Sequence, residues 1–176
     1  MALELNGTTG VSLVQDGVVT AADLSSTLDL SGKTVTLPSG VGGKVLQVVN
    51  GTSSSYVSTA TTAFIDTGLS ASITPSSASN KILVLINEGR CFTNGLTQIG
   101  LKLLRDSTEL VIYRFTLDAN GNTRIDSVLS YSYLDSPSGT SSVTYKTQFN
   151  NEQGTSVAGV QVGNSIASIT LMEIAG

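Results

Sequence analysis

From Lys44 to the end of the chain, short apolar runs alternate with turn signals, and no stretch in that region carries the 3.6-residue period of an amphipathic helix. The runs fall at 44–50, 55–58, 63–66, 69–74, 81–88, 98–105, 109–117, 125–134, 141–149, 156–162 and 166–174. Between them stand Asn94-Gly95, Asp106-Ser107, Asn120-Gly121, Asn150-Asn151, Gly163-Asn164 and two Ser-rich loops, 75–80 and 135–139. A parallel sheet would need crossover helices. Residues 44–176 are therefore expected to form an all-β head, an antiparallel β-sandwich or jelly roll.

One run departs from the pattern of a half-exposed strand. Ile82-Leu-Val-Leu-Ile86 does not alternate apolar with polar, and neither does Leu110-Val-Ile112. Both faces of such strands need cover, and a two-layered fold covers one; the leader, a loop or a neighbouring subunit must cover the other. Charged residues that normally blunt exposed edges are scarce: Asp, Glu, Lys and Arg make up 12% of the chain, against about 25% in an ordinary domain. Packing of identical subunits answers both observations. Ile82, Val84, Ile86 and Val111 are the expected subunit-interface residues.

Residues 1–43 read differently. Short alternating stretches, Val11-Ser-Leu13 and Thr34-Val-Thr-Leu37, are separated by Asn6-Gly7, Asp16-Gly17 and Ser31-Gly32. Leu24 and Leu28, four apart, allow a short helix within 21–30. So few apolar groups cannot offset the entropy of folding alone. The segment is expected to be an extended leader that packs on the head, on its own copies or on a docking partner. Leu3, Leu5, Val11 and Leu13 are its candidate attachment residues, and 41–43 its hinge to the head.

Composition excludes several functions. Nine Lys and Arg against thirteen Asp and Glu give a net charge of −4, without the basic footprint that nucleic acid or an anionic membrane surface requires. The longest apolar run is far short of the about 20 residues that cross a bilayer. Met1 and the residues after it lack the basic and apolar regions of a secretory signal, so synthesis in a cytosol is expected. There is no His, which rules out Ser/His/Asp and Cys/His catalysis, and Cys91 is the single cysteine, expected to be a small core residue. The surface is instead supplied by 25 Ser and 22 Thr.

The residues 37–49, Leu-Pro-Ser-Gly-Val-Gly-Gly-Lys-Val-Leu-Gln-Val-Val, lead into the head. Together with Ser72-Ile-Thr-Pro-Ser-Ser-Ala-Ser-Asn-Lys-Ile-Leu-Val84, Leu104-Arg-Asp106, Tyr133-Leu-Asp-Ser-Pro137, Thr144-Tyr-Lys146 and Ser168-Ile-Thr-Leu-Met-Glu-Ile-Ala-Gly176, this entry resembles fibre and appendage proteins of aquatic bacteriophages. The resemblance covers roughly 37–176; residues 1–36 are only generically fibre-like. It implies a virion structural protein made in the host cytoplasm and displayed on the particle. The implied form is a homotrimeric short tail or baseplate fibre, its leader docked on other virion proteins and its head exposed to the host surface or to other fibres. A capsid head fibre or decoration protein is the alternative, and a lectin-like module that binds host-surface glycan is the second. No catalytic residue, cofactor or metal is carried over.

Tyr131 with Tyr133, and Tyr145 with Phe149, share strand faces and are the candidate ligand or interface contacts, because aromatic faces stack on sugar rings. Asp106 with Glu109, and Asp126 with Asp135, are the available carboxylate pairs; turn and capping roles are expected for them instead. Gly40, Gly42 and Gly43 lack the lysine of a phosphate loop, and residues 118–122 lack the further oxygen ligands of a calcium loop. The chain is not expected to be an enzyme.

Overall fold

The computed structural model describes residues 44–95, 97–117, 124–154 and 156–176, all within the unit Gly43–Gly176. The leader, with Leu3, Leu5, Val11, Leu13, the short helix at 21–30 and the hinge at 41–43, lies outside the described residues, as does the Asn120-Gly121 turn. The strands are β1 (Val45–Ser53), β2 (Val57–Thr59), β3 (Ile65–Ile73), β4 (Lys81–Asn94), β5 (Thr97–Arg105), β6 (Thr108–Leu117), β7 (Arg124–Asp135), β8 (Val143–Asn151), β9 (Ala158–Val160) and β10 (Ala167–Ile174). They form two antiparallel sheets, as an all-β chain with turn-bounded runs requires.

Sheet I is built around β4. Along its first half β4 lies between β10 and β7, and β1 pairs with β10; farther along it pairs with β9, which carries β2. Sheet II runs β3-β8-β5-β6. Two strands differ from the sequence expectation. β4 was expected to stop at Glu88 but continues for six more residues, because a bulge absorbs Glu88 and Gly89 opposite Leu129. Gly89 has φ 68°, a conformation a side chain disfavours. The runs 63–66 and 69–74 are one strand, β3, whose irregularity at Gly68 (φ 82°) broke the apolar pattern.

The core lies between the sheets. Ile82, Val84 and Ile86 from β4 and Ile169 and Leu171 from β10 meet Leu69, Ala71 and Ile73 of β3, Leu103 of β5 and Tyr145 of β8. A second cluster joins Cys91, Leu129, Ala158 and Val160 to Ile99, Leu101 and Phe149. The interface assignments of Ile82, Val84 and Ile86 are thereby corrected, since all three are 0–3% exposed inside the chain's own core. Val111, on the edge strand β6, is partly buried against the same cluster. Up to the bulge the inward register of β4 is the even-numbered one; beyond it Cys91 points inward and Phe92 outward.

Two buried carboxylates tie loops and sheets together. Glu173, fully buried on β10, accepts hydrogen bonds from Gln47 Nε2 (2.6 Å), Asn80 Nδ2 (2.6 Å), and the Ser76 amide (2.6 Å) and hydroxyl (2.8 Å). It thereby fixes the 75–80 loop between β3 and β4. Burial alone would raise its pKa, but the donors from Asn80, Gln47 and Ser76 outweigh burial and hold it at about 2. At the same end Asp135 of β7 takes the Arg105 guanidinium of β5 and the Tyr145 hydroxyl of β8, each at 2.6 Å, linking sheet I to sheet II.

Because the folded value for Glu173 lies below its ordinary 4.5, its contribution to stability is present above pH 4.5 and lost as pH falls toward 2. Denaturant titrations from pH 6 down to about 2 should show Glu173→Gln less stable than the parent at pH 6 and the two converging at the acid end. Parallel curves would contradict the assignment.

Candidate functional site

The outward faces of the two sheets differ in chemistry. On sheet II, Asp66 pairs with Lys146 (3.1 Å) and accepts from Gln148 (2.8 Å), Lys102 pairs with Glu109 (2.9 Å), and Arg114 with Glu152 (3.2 Å). The Lys102 ammonium also sits 4.0 Å from the centre of the Phe64 ring. This is a solvated surface whose charges are matched locally, and the Gln148 amide and the Lys146 ammonium draw the Asp66 carboxyl below its ordinary value.

Sheet I presents the odd-numbered register of β4. Val48, Met172, Leu83 and Leu134 stand side by side on β1, β10, β4 and β7, an apolar row across four strands, about 14 Å wide at the usual strand spacing. Val48 is 56% exposed and Leu134 51%. The next row is Asn50, Thr170, Leu85 and Ser132, and the third Thr52, Ser168, Asn87 and Ser130. These twelve residues include no charged side chain. Val45 and Leu46, exposed at the start of β1, extend the apolar area. A continuous surface of this kind is where monomeric proteins usually place charge.

Beside the apolar row the face dips into an open depression of roughly 350 Å³, lined by Leu85, Asn87, Ser130, Ser132, Ser168 and Thr170. Its rim is neutral hydroxyl and amide. Ile86 and Tyr131 also border it, with their side chains packed toward sheet II, so it offers shape and hydrogen bonds rather than acid–base chemistry.

Toward the far end of sheet I, Phe92 points outward yet is 4% exposed. Tyr56 stacks on it with ring centres 6.3 Å apart, and the Arg124 guanidinium lies 4.1 Å from its ring centre. Gly159, its neighbour on β9, has no side chain because a Cβ there would run into the Phe92 ring. Arg124 and Arg90 both bind Asp126, at 2.8 and 3.2 Å. The Phe92 ring is thus covered from within the chain.

The candidate aromatics are placed elsewhere than expected. Tyr145 and Phe149 are fully buried, so the structure corrects them from ligand or interface contacts to core residues. Tyr131 and Tyr133, in register with Ile86 and Val84, face sheet II and pack against the core, and Tyr113 of β6 leans on Tyr131 with ring centres 4.8 Å apart. They close the β6–β7 side of the two layers rather than forming a platform. The carboxylate pairs are not brought together: Asp126 faces outward and Asp135 inward on β7. Asp106 accepts from the Thr144 amide, and Glu109 is held by Lys102. Among the described residues, no cluster of three or more metal-ligating side chains occurs. The outward residues that sequence reading passed over, Leu83 and Leu85, lie in the very run that signalled a need for cover.

No family model and no curated protein matches this chain.

If Tyr145 is a core residue bonded to Asp135, Tyr145→Phe should lower stability by about 1–3 kcal/mol in chemical denaturation, the usual cost of a buried group losing its partner. A surface contact residue would leave the midpoint unchanged.

Proposed function

We propose that this chain is a virion structural protein: a subunit of a homotrimeric short tail or baseplate fibre, docked through its leader, with the β head exposed for host-surface or fibre contact. The observation that carries self-association is the uncharged twelve-residue patch on the outer face of sheet I, crossed by Val48, Met172, Leu83 and Leu134 and set apart from the Arg90–Asp126–Arg124 cluster at the far end, opposite a sheet II whose outer charges are paired. Identical copies turned about one axis bring that face against its neighbours and remove the apolar row from water. Scarce ion pairing across such a contact makes it insensitive to salt.

The strand order supports a jelly-roll reading of the head. With the short β2 and β9 set aside, eight strands remain, and the first pairs with the last (β1 with β10), the second with the seventh (β3 with β8), the third with the sixth (β4 with β7), and the fourth with the fifth (β5 with β6). A long hairpin of four such pairs, rolled up, yields the two sheets of a jelly roll, an architecture found in viral capsid proteins and lectins. The virion setting is supported by the likeness of residues 37–176 to phage fibre proteins. A capsid fibre or decoration protein is the second reading, favoured by the same strand order.

Sedimentation equilibrium of the purified chain should give about three times 18.1 kDa, and Leu83→Glu should give a folded species of one chain mass. A parent protein that stays monomeric at micromolar concentration would overturn the assembly. Antibody labelling of particles in negative stain should mark the tail or baseplate; label on the capsid would transfer the role to the second reading, and unlabelled particles would overturn both.

A further inference from the structure

Glu88 is the exception among the buried carboxylates. It sits at the β4 bulge, where pairing with β7 jumps from Asn87↔Ser130 to Arg90↔Val128. The bulge is held by two bonds, from the Gly89 amide to Asn87 Oδ1 and from the Arg90 amide to Ser165 Oγ, both 2.8 Å. The Glu88 side chain is fully enclosed, and neither carboxyl oxygen has a hydrogen-bond partner; the Tyr131 hydroxyl also has none. The titratable groups facing it are Tyr131 on β7, backed by Tyr113 on β6, and Cys91 on β4 itself. From β8 it meets the Thr147 hydroxyl, already engaged with Thr67 of β3 at 2.6 Å. None of these groups is a cation. Glu173 shows how the same fold holds an ionised carboxylate, with four donors; near Glu88 stand only the Thr147 and Tyr131 hydroxyls, and neither completes a hydrogen bond to it.

We propose that Glu88 is a proton-operated latch on the β4 bulge: neutral, it stays enclosed between the sheets, and on losing its proton to solvent it leaves the core and loosens the β4–β7 ladder. Asn87 and Ser130, which flank the bulge, line the depression on the outer face of sheet I. Opening the latch therefore reshapes that face. The link to assembly rests on the reading of sheet I as the contact between copies; the latch itself does not.

Burial pushes the Glu88 carboxyl from 4.5 up to about 7, against weaker downward pulls from the Thr147 and Tyr131 hydroxyls. The sign follows from linkage. Below pH 4.5 both folded and unfolded chains are protonated and the fold is unpenalised. Between pH 4.5 and about 7 the unfolded chain ionises first and stability declines, and above that the loss is complete.

Cys91 reports on the bulge, its thiol lying 3.7 Å from the Gly89 carbonyl and fully buried. The full chain and Glu88→Gln would be labelled with 4,4′-dithiodipyridine between pH 5.5 and 8. In the ratio of their rates the intrinsic thiol chemistry cancels. The parent-to-variant ratio should rise about tenfold or more across that range; a flat ratio overturns the latch. Should Glu88→Gln fail to fold, side-chain carboxyl carbon NMR of the parent decides. One glutamate titrating near neutrality supports the latch, and all titrating below about pH 5.5 overturns it. Sedimentation of the parent across the same pH values separates the two ideas. Mass falling as pH rises supports the link to assembly, and constant mass beside a rising thiol ratio overturns that link alone.

Discussion

A β-strand has two faces, and the first half of β4 carries aliphatic side chains on both. The even register, Ile82, Val84 and Ile86, is enclosed by β3, β5 and β8 of the opposite sheet. That packing sets the rest of the head, because β10 and β7 take their register from β4 and β1 takes its own from β10. The odd register then has no choice of direction. Leu83 and Leu85 are turned outward by the same geometry that buries their neighbours, and Met172, Val48 and Leu134 follow in the same row. At roughly 25 cal/mol per Å² of apolar surface, covering such a row is a substantial driving force. The outer face of sheet I is thus a by-product of the core and, in the reading given above, the means of assembly.

The two enclosed glutamates show how the fold treats charge. Glu173 is surrounded by donors from three residues, Gln47 on β1 and Ser76 and Asn80 in the 75–80 loop, and becomes a fastener for that loop. Glu88, fully enclosed between the sheets, has no carboxyl oxygen in a completed hydrogen bond and sits where the ladder is already irregular. An unpaired carboxyl in such a place is tolerated as the neutral acid. The same residue type is held as an anion at one site and favoured as the neutral acid at the other, and the difference lies in the depth of enclosure and the supply of hydrogen bonds.

Much of this was legible in the chain. The turn signals marked the strand ends well, and the unbroken run 82–86 announced that one strand would be apolar on both faces. What the run does not disclose is its own parity: without alternation, nothing distinguishes the enclosed residues Ile82, Val84 and Ile86 from the outward Leu83 and Leu85. For β8 the signal was present. Thr144, Lys146 and Gln148 alternate with Tyr145, Thr147 and Phe149, the pattern of a strand with its aromatics inward, so a binding role for those two was the weaker reading. The continuation of β4 past Glu88 was hidden because a glutamate followed by glycine reads as a strand end, whereas here it is a bulge. Phe92 was likewise obscured, since its cover comes from Tyr56 and Arg124, distant in sequence.

The direct measurement of the central claim is the protection of the sheet I outer face in solution. A thiol placed by Leu134→Cys would be compared with one placed by Ser72→Cys on the outer face of sheet II, with Cys91 enclosed and slow to react. Covered by neighbouring copies, the Leu134→Cys thiol should be protected at micromolar concentration and become reactive on dilution, while the Ser72→Cys thiol reacts freely throughout. Equal, concentration-independent reactivity at both positions would contradict the claim.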